Sequence, residues 1–188
     1  MKAWWQLFSE AFTPAECQGL IDYALTHPVQ QGSIGHGGAN KVNPNIRRSK
    51  VRWLGRQDAK LFPFYARIAD MAERANNHAF GFDLRQFREL QFTEYDAGDE
   101  GHYGWHEDNA WKAGLEVERK MSMVIQLSDP ADYEGGRLEL QNDPLGPEQF
   151  TRRGDVLFFP AFNRHRVTPV TRGRRYSLVT WFTGPAFR

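Results

Sequence analysis

Hydrophobic positions change their period partway along the chain. In the first part they recur at helical spacing. Thr13 can cap a helix, with Pro14 at its first position and Glu16 three residues past the cap. This helix is predicted to run to about His27, before Pro28. Asp58 can cap a second helix, with Leu61, Phe62, Tyr65, Ile68, Ala69 and Ala72 at helical spacing and an end before Gly81. Between the two, residues 29–45 are rich in Gly, Asn and Gln and predict a loop. Ile46 to Leu54 predicts a strand carrying Arg47, Arg48, Lys50 and Arg52. From Leu84 onward the period is two. Strands are predicted over 84–95, 102–107, 119–128, 136–141, 148–152, 155–160, 165–170 and 175–183. Turn signals separate them at Asp96-Ala97-Gly98, Asp129-Pro130, Gly135-Gly136, Asn142-Asp143-Pro144, Gly154 and Gly173. Short strands at this spacing predict a mainly β fold, a two-sheet jelly roll with the N-terminal helices bracing one sheet.

Composition narrows this further. A chain of 188 residues suits a single domain, here helical support over about 1–83 and a β core over about 84–188. Aromatics make up 14% of residues and gather in strand-like runs such as Leu157-Phe158-Phe159, which favours a β core over a helical bundle. The formal net charge of +1 sets up no global field toward nucleic acid or an anionic membrane. With one cysteine, Cys17, no intrachain disulfide can form, which suits a reducing compartment. No apolar run has the length of a membrane span, and Met1 to Phe8 is too short an apolar stretch for a secretory signal, so a cytoplasmic setting is expected.

Three segments carry candidate chemistry. In Gly104-Trp105-His106-Glu107-Asp108-Asn109, alternation puts His106 and Asp108 on one face of a strand, so an imidazole and a carboxylate can share one metal. Alone, the pair also fits a surface histidine beside a solvated acid. His165 opens a later strand after the aromatic run Phe158-Phe159-Pro160, far enough along the chain to return across a jelly roll. Two His and one carboxylate on one side of a metal form the facial triad of non-haem iron oxygenases. Alone, His165 fits equally a core histidine at a strand end. In the third segment, alternation over Arg174–Phe182 puts Arg175, Ser177 and Val179 on one face. An inward arginine needs an anionic partner, and a dicarboxylate ligand would supply one through a bidentate pair, with Ser177 as a second donor. Alone, Arg175 reads as an exposed residue of a basic turn beside Arg172 and Arg174.

Together His106-x-Asp108, His165 and Arg175-x-Ser177 resemble the prolyl-4-hydroxylase-type branch of the iron(II)/2-oxoglutarate dioxygenases. Further segments are similar to that branch: Tyr95-Asp96-Ala97-Gly98, Glu134-Gly135-Gly136-Arg137-Leu138, Arg153 to Pro160, and His165-Arg166-Val167-x-Pro169-Val170. The resemblance covers roughly residues 84–183 and implies a double-stranded β-helix. It implies Fe(II) held by His106, Asp108 and His165, and 2-oxoglutarate held by Arg175, with Ser177 beside it. It matches Tyr95 to a tyrosine that contacts the co-substrate in some relatives. Where some relatives place a second such tyrosine, Gln126 stands here, either as a substitute hydrogen bonder or with that contact absent. The implied reaction consumes dioxygen and 2-oxoglutarate, yields succinate and carbon dioxide, and hydroxylates an aliphatic C–H, with ascorbate as a candidate reductant. The expected substrate is a prolyl or other amino-acid side chain of a protein or peptide. A free amino acid or small metabolite is the alternative, followed by a zinc hydrolase or a non-catalytic jelly-roll binding module. The carboxylate of Asp108 argues against halogenation, because a halide would need its coordination position. No nucleic-acid or membrane partner is expected.

Two segments leave open readings. Arg48, Lys50 and Arg52 share parity and predict one basic face, either a charged edge strand or a recognition surface for an acidic group. The Gly-rich stretch 32–38, with His36, is either a lid or a plain connection. His27, His78 and His102 read as surface or helix-end residues; His102 shares parity with His106, so facing the metal cavity is its alternative.

Overall fold

The computed structural model describes residues 1–35, 41–87, 89–111 and 114–187. Its strands are β1 (Gln6–Phe8), β2 (Gln30–Gln31), β3 (Arg47–Arg48), β4 (Lys50–Leu54), β5 (Leu90–Asp96), β6 (His102–His106), β7 (Val117–Gln126), β8 (Tyr133–Gly135), β9 (Leu138–Leu140), β10 (Val156–Pro160), β11 (His165–Val167) and β12 (Val170–Pro185). The helices are α1 (Pro14–Leu25) and α2 (Phe62–Ala75). All pairings are antiparallel. The major sheet runs β1-β10-β7-β12-β5-β4-β2, with β8 added on β12, and the minor sheet runs β3-β6-β11-β9.

Alternation on the major sheet divides the molecule into layers. Phe92 of β5, Met121, Met123 and Ile125 of β7, Phe158 of β10 and Leu178 of β12 pack on Leu20, Ile21 and Ile68 of the helices. The opposite parity, including Tyr95, Val124, Leu157 and Phe159, packs on Leu138, Leu140 and Val167 of the minor sheet. This is the jelly roll expected from the strand spacing, with helices covering one sheet. Burying each such side chain contributes roughly 1.5–3 kcal/mol.

The helix boundaries follow their local chemistry. Thr13 and Glu16 form the reciprocal capping box, and α1 ends at Leu25, two residues short of His27. Asp58 caps a 3-10 turn over Ala59–Leu61 that feeds α2, which continues through a π turn to a left-handed Gly81.

Several predicted strands differ. Regular pairing begins at Leu90 rather than residue 84; among the described residues from 84 to 89, Gln86 forms an isolated bridge with Thr183. Residues 148–152 form no strand: Phe150 enters the interior core through a left-handed backbone, φ 54°, instead of by pairing. Pro169, lacking an N–H, ends β11 at Val167. Gly173 is no turn. It lies within β12, where a Cβ would meet the carbonyl oxygen of Asp132 at 2.0 Å, so glycine there permits close approach. The predicted strand 46–54 breaks at Ser49, sending β3 to the minor sheet and β4 to the major one. Inside the predicted loop 29–45, β2 pairs with β4. His36 lies outside the described residues. No helix among the described residues is long and apolar enough to cross a membrane.

Candidate active site

A cavity of about 420 Å³ opens between the two sheets. The end of β6 and the start of β11 pair so that His106 and His165 are cross-strand neighbours. Asp108 follows β6, its backbone pinned by a 2.8 Å hydrogen bond from its N–H to the Ala161 carbonyl. Parity therefore brings the imidazoles and the carboxylate to one point: their candidate ligand atoms all lie within 4.8 Å of one another. Nδ1 of His106 is 2.9 Å from the Gly104 carbonyl, and Nδ1 of His165 is 2.9 Å from the Asn163 carbonyl. A carbonyl only accepts, so in the neutral rings Nδ1 carries the proton and Nε2 keeps its lone pair. Those Nε2 atoms face Asp108 at 3.7 Å and 3.4 Å.

Electrostatics fit the same reading. Burial, with His165 second, pushes His106 down to about 3, so its ring is neutral near pH 7. Burial acts to raise Asp108, but His165, His106, Arg119 and a hydrogen bond from Ser122 outweigh it and hold the carboxyl below the usual range. Ser122 Oγ donates to Asp108 Oδ2 at 2.6 Å. Lone pairs of two imidazoles and an ionised carboxylate thus converge in a buried place, a donor set that fits a divalent cation such as Fe(II). Tyr103 stacks on His106 at 3.5 Å between centroids, and Phe159 meets His165 edge-on at 4.8 Å.

Deeper in the cavity β12 presents Arg175 and Ser177, which are 2% and 1% exposed. Among the described residues no carboxylate forms an ion pair with Arg175, and its Nη1 is buried without any hydrogen-bond partner. A buried guanidinium in that state fits an anionic ligand such as the distal carboxylate of 2-oxoglutarate. Arg174, of opposite parity, is exposed and pairs with Asp96 at 2.5 Å. Tyr95 is buried in the cavity wall, its ring 5.8 Å from the Arg175 guanidinium carbon. Gln126 does not line this cavity; its amide oxygen accepts from Arg175 Nε at 3.0 Å.

Two residues that line the cavity, Arg119 and Arg47, and one behind it, Ser122, have site contacts that the sequence does not assign. Arg119 of β7 lies over Trp181 at 3.8 Å, and the Trp181 indole N–H is buried without a partner. Ser122 braces Asp108. Arg47 is buried, donates to Ser49 Oγ and the Ser33 carbonyl, and covers the Tyr103 ring at 4.6 Å. Meanwhile the expected basic face is neutralised: Arg48 pairs with Glu100 at 2.6 Å, Lys50 with Asp99 at 3.0 Å and Arg52 with Glu94 at 2.9 Å. His102 turns away, its Nδ1 2.7 Å from the Glu100 carbonyl.

A jelly roll with a His-Asp-His triad and a buried arginine between its sheets defines a class of facial-triad metalloprotein. Comparison with known proteins is specific: residues 90–183 match the 2OG-Fe(II) oxygenase superfamily, and the chain belongs to it. It is 38% identical over 95 residues to a PKHD-type hydroxylase of Hyphomonas neptunium, a match covering 48% of this chain and 41% of that protein. The chain thus matches well under half the length of this curated relative. The crystal structure of a Pseudomonas putida prolyl-4-hydroxylase shares the fold, with TM-score 0.72 and 20% identity over 97% of this chain and 94% of that one. So does a Trichoplax adhaerens prolyl hydroxylase in complex with a hypoxia inducible factor oxygen degradation domain peptide fragment, with TM-score 0.74 and 15% identity over 95% and 83%.

Proposed function

We propose that the protein is an Fe(II)- and 2-oxoglutarate-dependent dioxygenase. It hydroxylates an aliphatic C–H on a prolyl or other amino-acid side chain of a protein or peptide. The observation that carries this reading is the buried, ion-pair-free Arg175 opening on the same cavity as the triad. A zinc hydrolase would need the triad but not the arginine, and a passive jelly-roll module would need neither.

His106, Asp108 and His165 would hold the iron, and Arg175 with Ser177 the distal carboxylate of 2-oxoglutarate. With dioxygen, these bound groups supply the oxidising power for hydroxylation, leaving succinate and carbon dioxide. The chain's own share is placement and exclusion of water. Hydrogen bonds at Nδ1 turn Nε2 of both imidazoles toward Asp108, Ser122 fixes one carboxylate oxygen, and Tyr103 and Phe159 keep the rings from turning. At the cavity mouth Trp53, Trp181 and Arg119 would meet the substrate. The Arg119 guanidinium, stacked rather than ion-paired among the described residues, favours a second reading: a free amino acid or other small carboxylate as substrate. The lone, buried Cys17 suits a reducing, cytoplasmic setting.

The test is anaerobic binding of Fe(II) and 2-oxoglutarate. Succinate release is then measured with ascorbate present, against peptide and metabolite libraries. Binding plus substrate-stimulated succinate is the expected result, and the stimulating library separates the two substrate readings. Reduced, iron-loaded protein that neither binds 2-oxoglutarate nor releases succinate would overturn the enzyme reading.

A further inference from the structure

Behind Arg175 lies a short polar chain that does not touch the main cavity. Gln126 is 1% exposed and pairs in register with Ser177 of β12. Its Nε2 donates to the Ser128 carbonyl at 3.2 Å and to the Tyr133 hydroxyl oxygen at 2.9 Å. The Ser128 carbonyl can only accept, so the amide nitrogen must face it, and the amide oxygen must face Arg175 Nε. Gln126 and Tyr133 line a separate cavity of about 160 Å³ on the far side of Arg175.

This arrangement constrains the guanidinium in two ways. A guanidinium is a planar fork, so holding Nε fixes which way its Nη edge points. On one flank Gly136 approaches so closely that a Cβ there would lie 3.0 Å from Arg175 Cδ. The amide is also neutral. It satisfies Nε without cancelling the positive charge, whereas a carboxylate at 126 would pair with the arginine and compete with an incoming anion. Nη1 is left buried and without a partner.

We infer that Gln126, anchored by Tyr133, is a positioning residue of the co-substrate site: it orients Arg175 and preserves its charge for the distal carboxylate of a 2-oxo diacid. The inference rests on the proposed function. It also limits the effect to one end of the ligand. A 2-oxo acid without a distal carboxylate gains nothing from Arg175 and is insensitive to Gln126.

The experiment measures dissociation constants by calorimetry on the full chain loaded anaerobically with Fe(II), for 2-oxoglutarate and for 2-oxobutyrate. Gln126→Leu is expected to weaken 2-oxoglutarate by roughly tenfold or more, since a buried bond to a charged group is lost, while 2-oxobutyrate shifts less than about twofold. Gln126→Glu weakens 2-oxoglutarate further, through charge cancellation. Tyr133→Phe, a milder change at a half-buried position, weakens it by a few fold. Iron affinity stays at the wild-type value in all three. Unchanged 2-oxoglutarate affinity in Gln126→Leu and Tyr133→Phe overturns the inference, as does an equal loss of both ligands, which marks general disruption. Should Gln126→Leu fail to fold, Tyr133→Phe decides alone. Wild-type protein that binds iron but no 2-oxoglutarate fails one step earlier and overturns the proposed function, and this inference with it.

Discussion

Arg174 and Arg175 are chain neighbours with opposite fates. One lies on the surface against Asp96, the other lies between the two sheets with its Nη1 unpartnered. Arg175→Ala is expected to weaken 2-oxoglutarate binding by about 10- to 100-fold, the range for a buried charge-assisted contact. Arg174→Ala removes an exposed pair contributing at most about 1 kcal/mol to stability and leaves co-substrate affinity unchanged. Titration of both variants with 2-oxoglutarate checks this, and equal effects would contradict the strand register. At the metal end, Asp108→Ala should abolish tight Fe(II) binding, and Ser122→Ala should lower it by about tenfold, as loss of an outer partner does elsewhere. Equilibrium dialysis against Fe(II) under anaerobic conditions reads both. Much of this was legible in the sequence because alternation is a local property: His106 with Asp108, and Arg175 with Ser177, need only parity. Arg47, Ser122 and Arg119 were not legible. Their roles depend on Tyr103, Asp108 and Trp181, which reach them from other parts of the chain.

Elements were legible to the degree that their signals were local. The capping box of α1 lies within four residues, so Thr13 and Glu16 announced it. Thr13→Ala is expected to cost about 1 kcal/mol, seen as a lowered midpoint in urea unfolding with unchanged slope. The break at Ser49 was invisible, because splitting one basic run between two sheets depends on β5 and β6 rather than on the run itself. Glycine misled once for a physical reason: Gly173 signals tight contact with the 130–132 turn, and a sequence does not separate contact from turning. Gly136 marks a similar closeness to Arg175. Its backbone is left-handed, φ 58°, and an added Cβ would lie 2.8 Å from Val170 Cγ2 and 3.0 Å from Arg175 Cδ. Gly136→Ala should therefore lower both thermal stability and 2-oxoglutarate affinity, read by melting and titration of one preparation.

Over the whole molecule, a helical layer backs a broad sheet, the broad sheet and a narrow sheet enclose the cavity, and the broad sheet contributes to both cores. Phe158, fully buried between α-helices and sheet, supports the layer behind the site without touching it. Phe158→Ala is expected to cost about 3–5 kcal/mol in folding while the surviving folded fraction still binds 2-oxoglutarate. Iron and 2-oxoglutarate together should raise the melting temperature. At a hundredfold excess over Kd the gain is about 2.7 kcal/mol, roughly 5–10 °C for a chain of this size.

The strand β12 pairs with β5 along one side and β7 along the other from Ser177 to Val179. Amides there can meet deuterated solvent only when the sheet itself parts, so their exchange should track global opening even in bare polypeptide. The floor of the site would then be as durable as the fold, and ligands would arrive at a surface already made. A substitution that merely empties the pocket leaves these amides as slow as before. One that loosens the sheet quickens them all together. Deuterium uptake along a single strand thereby tells lost chemistry from lost architecture without a substrate in hand.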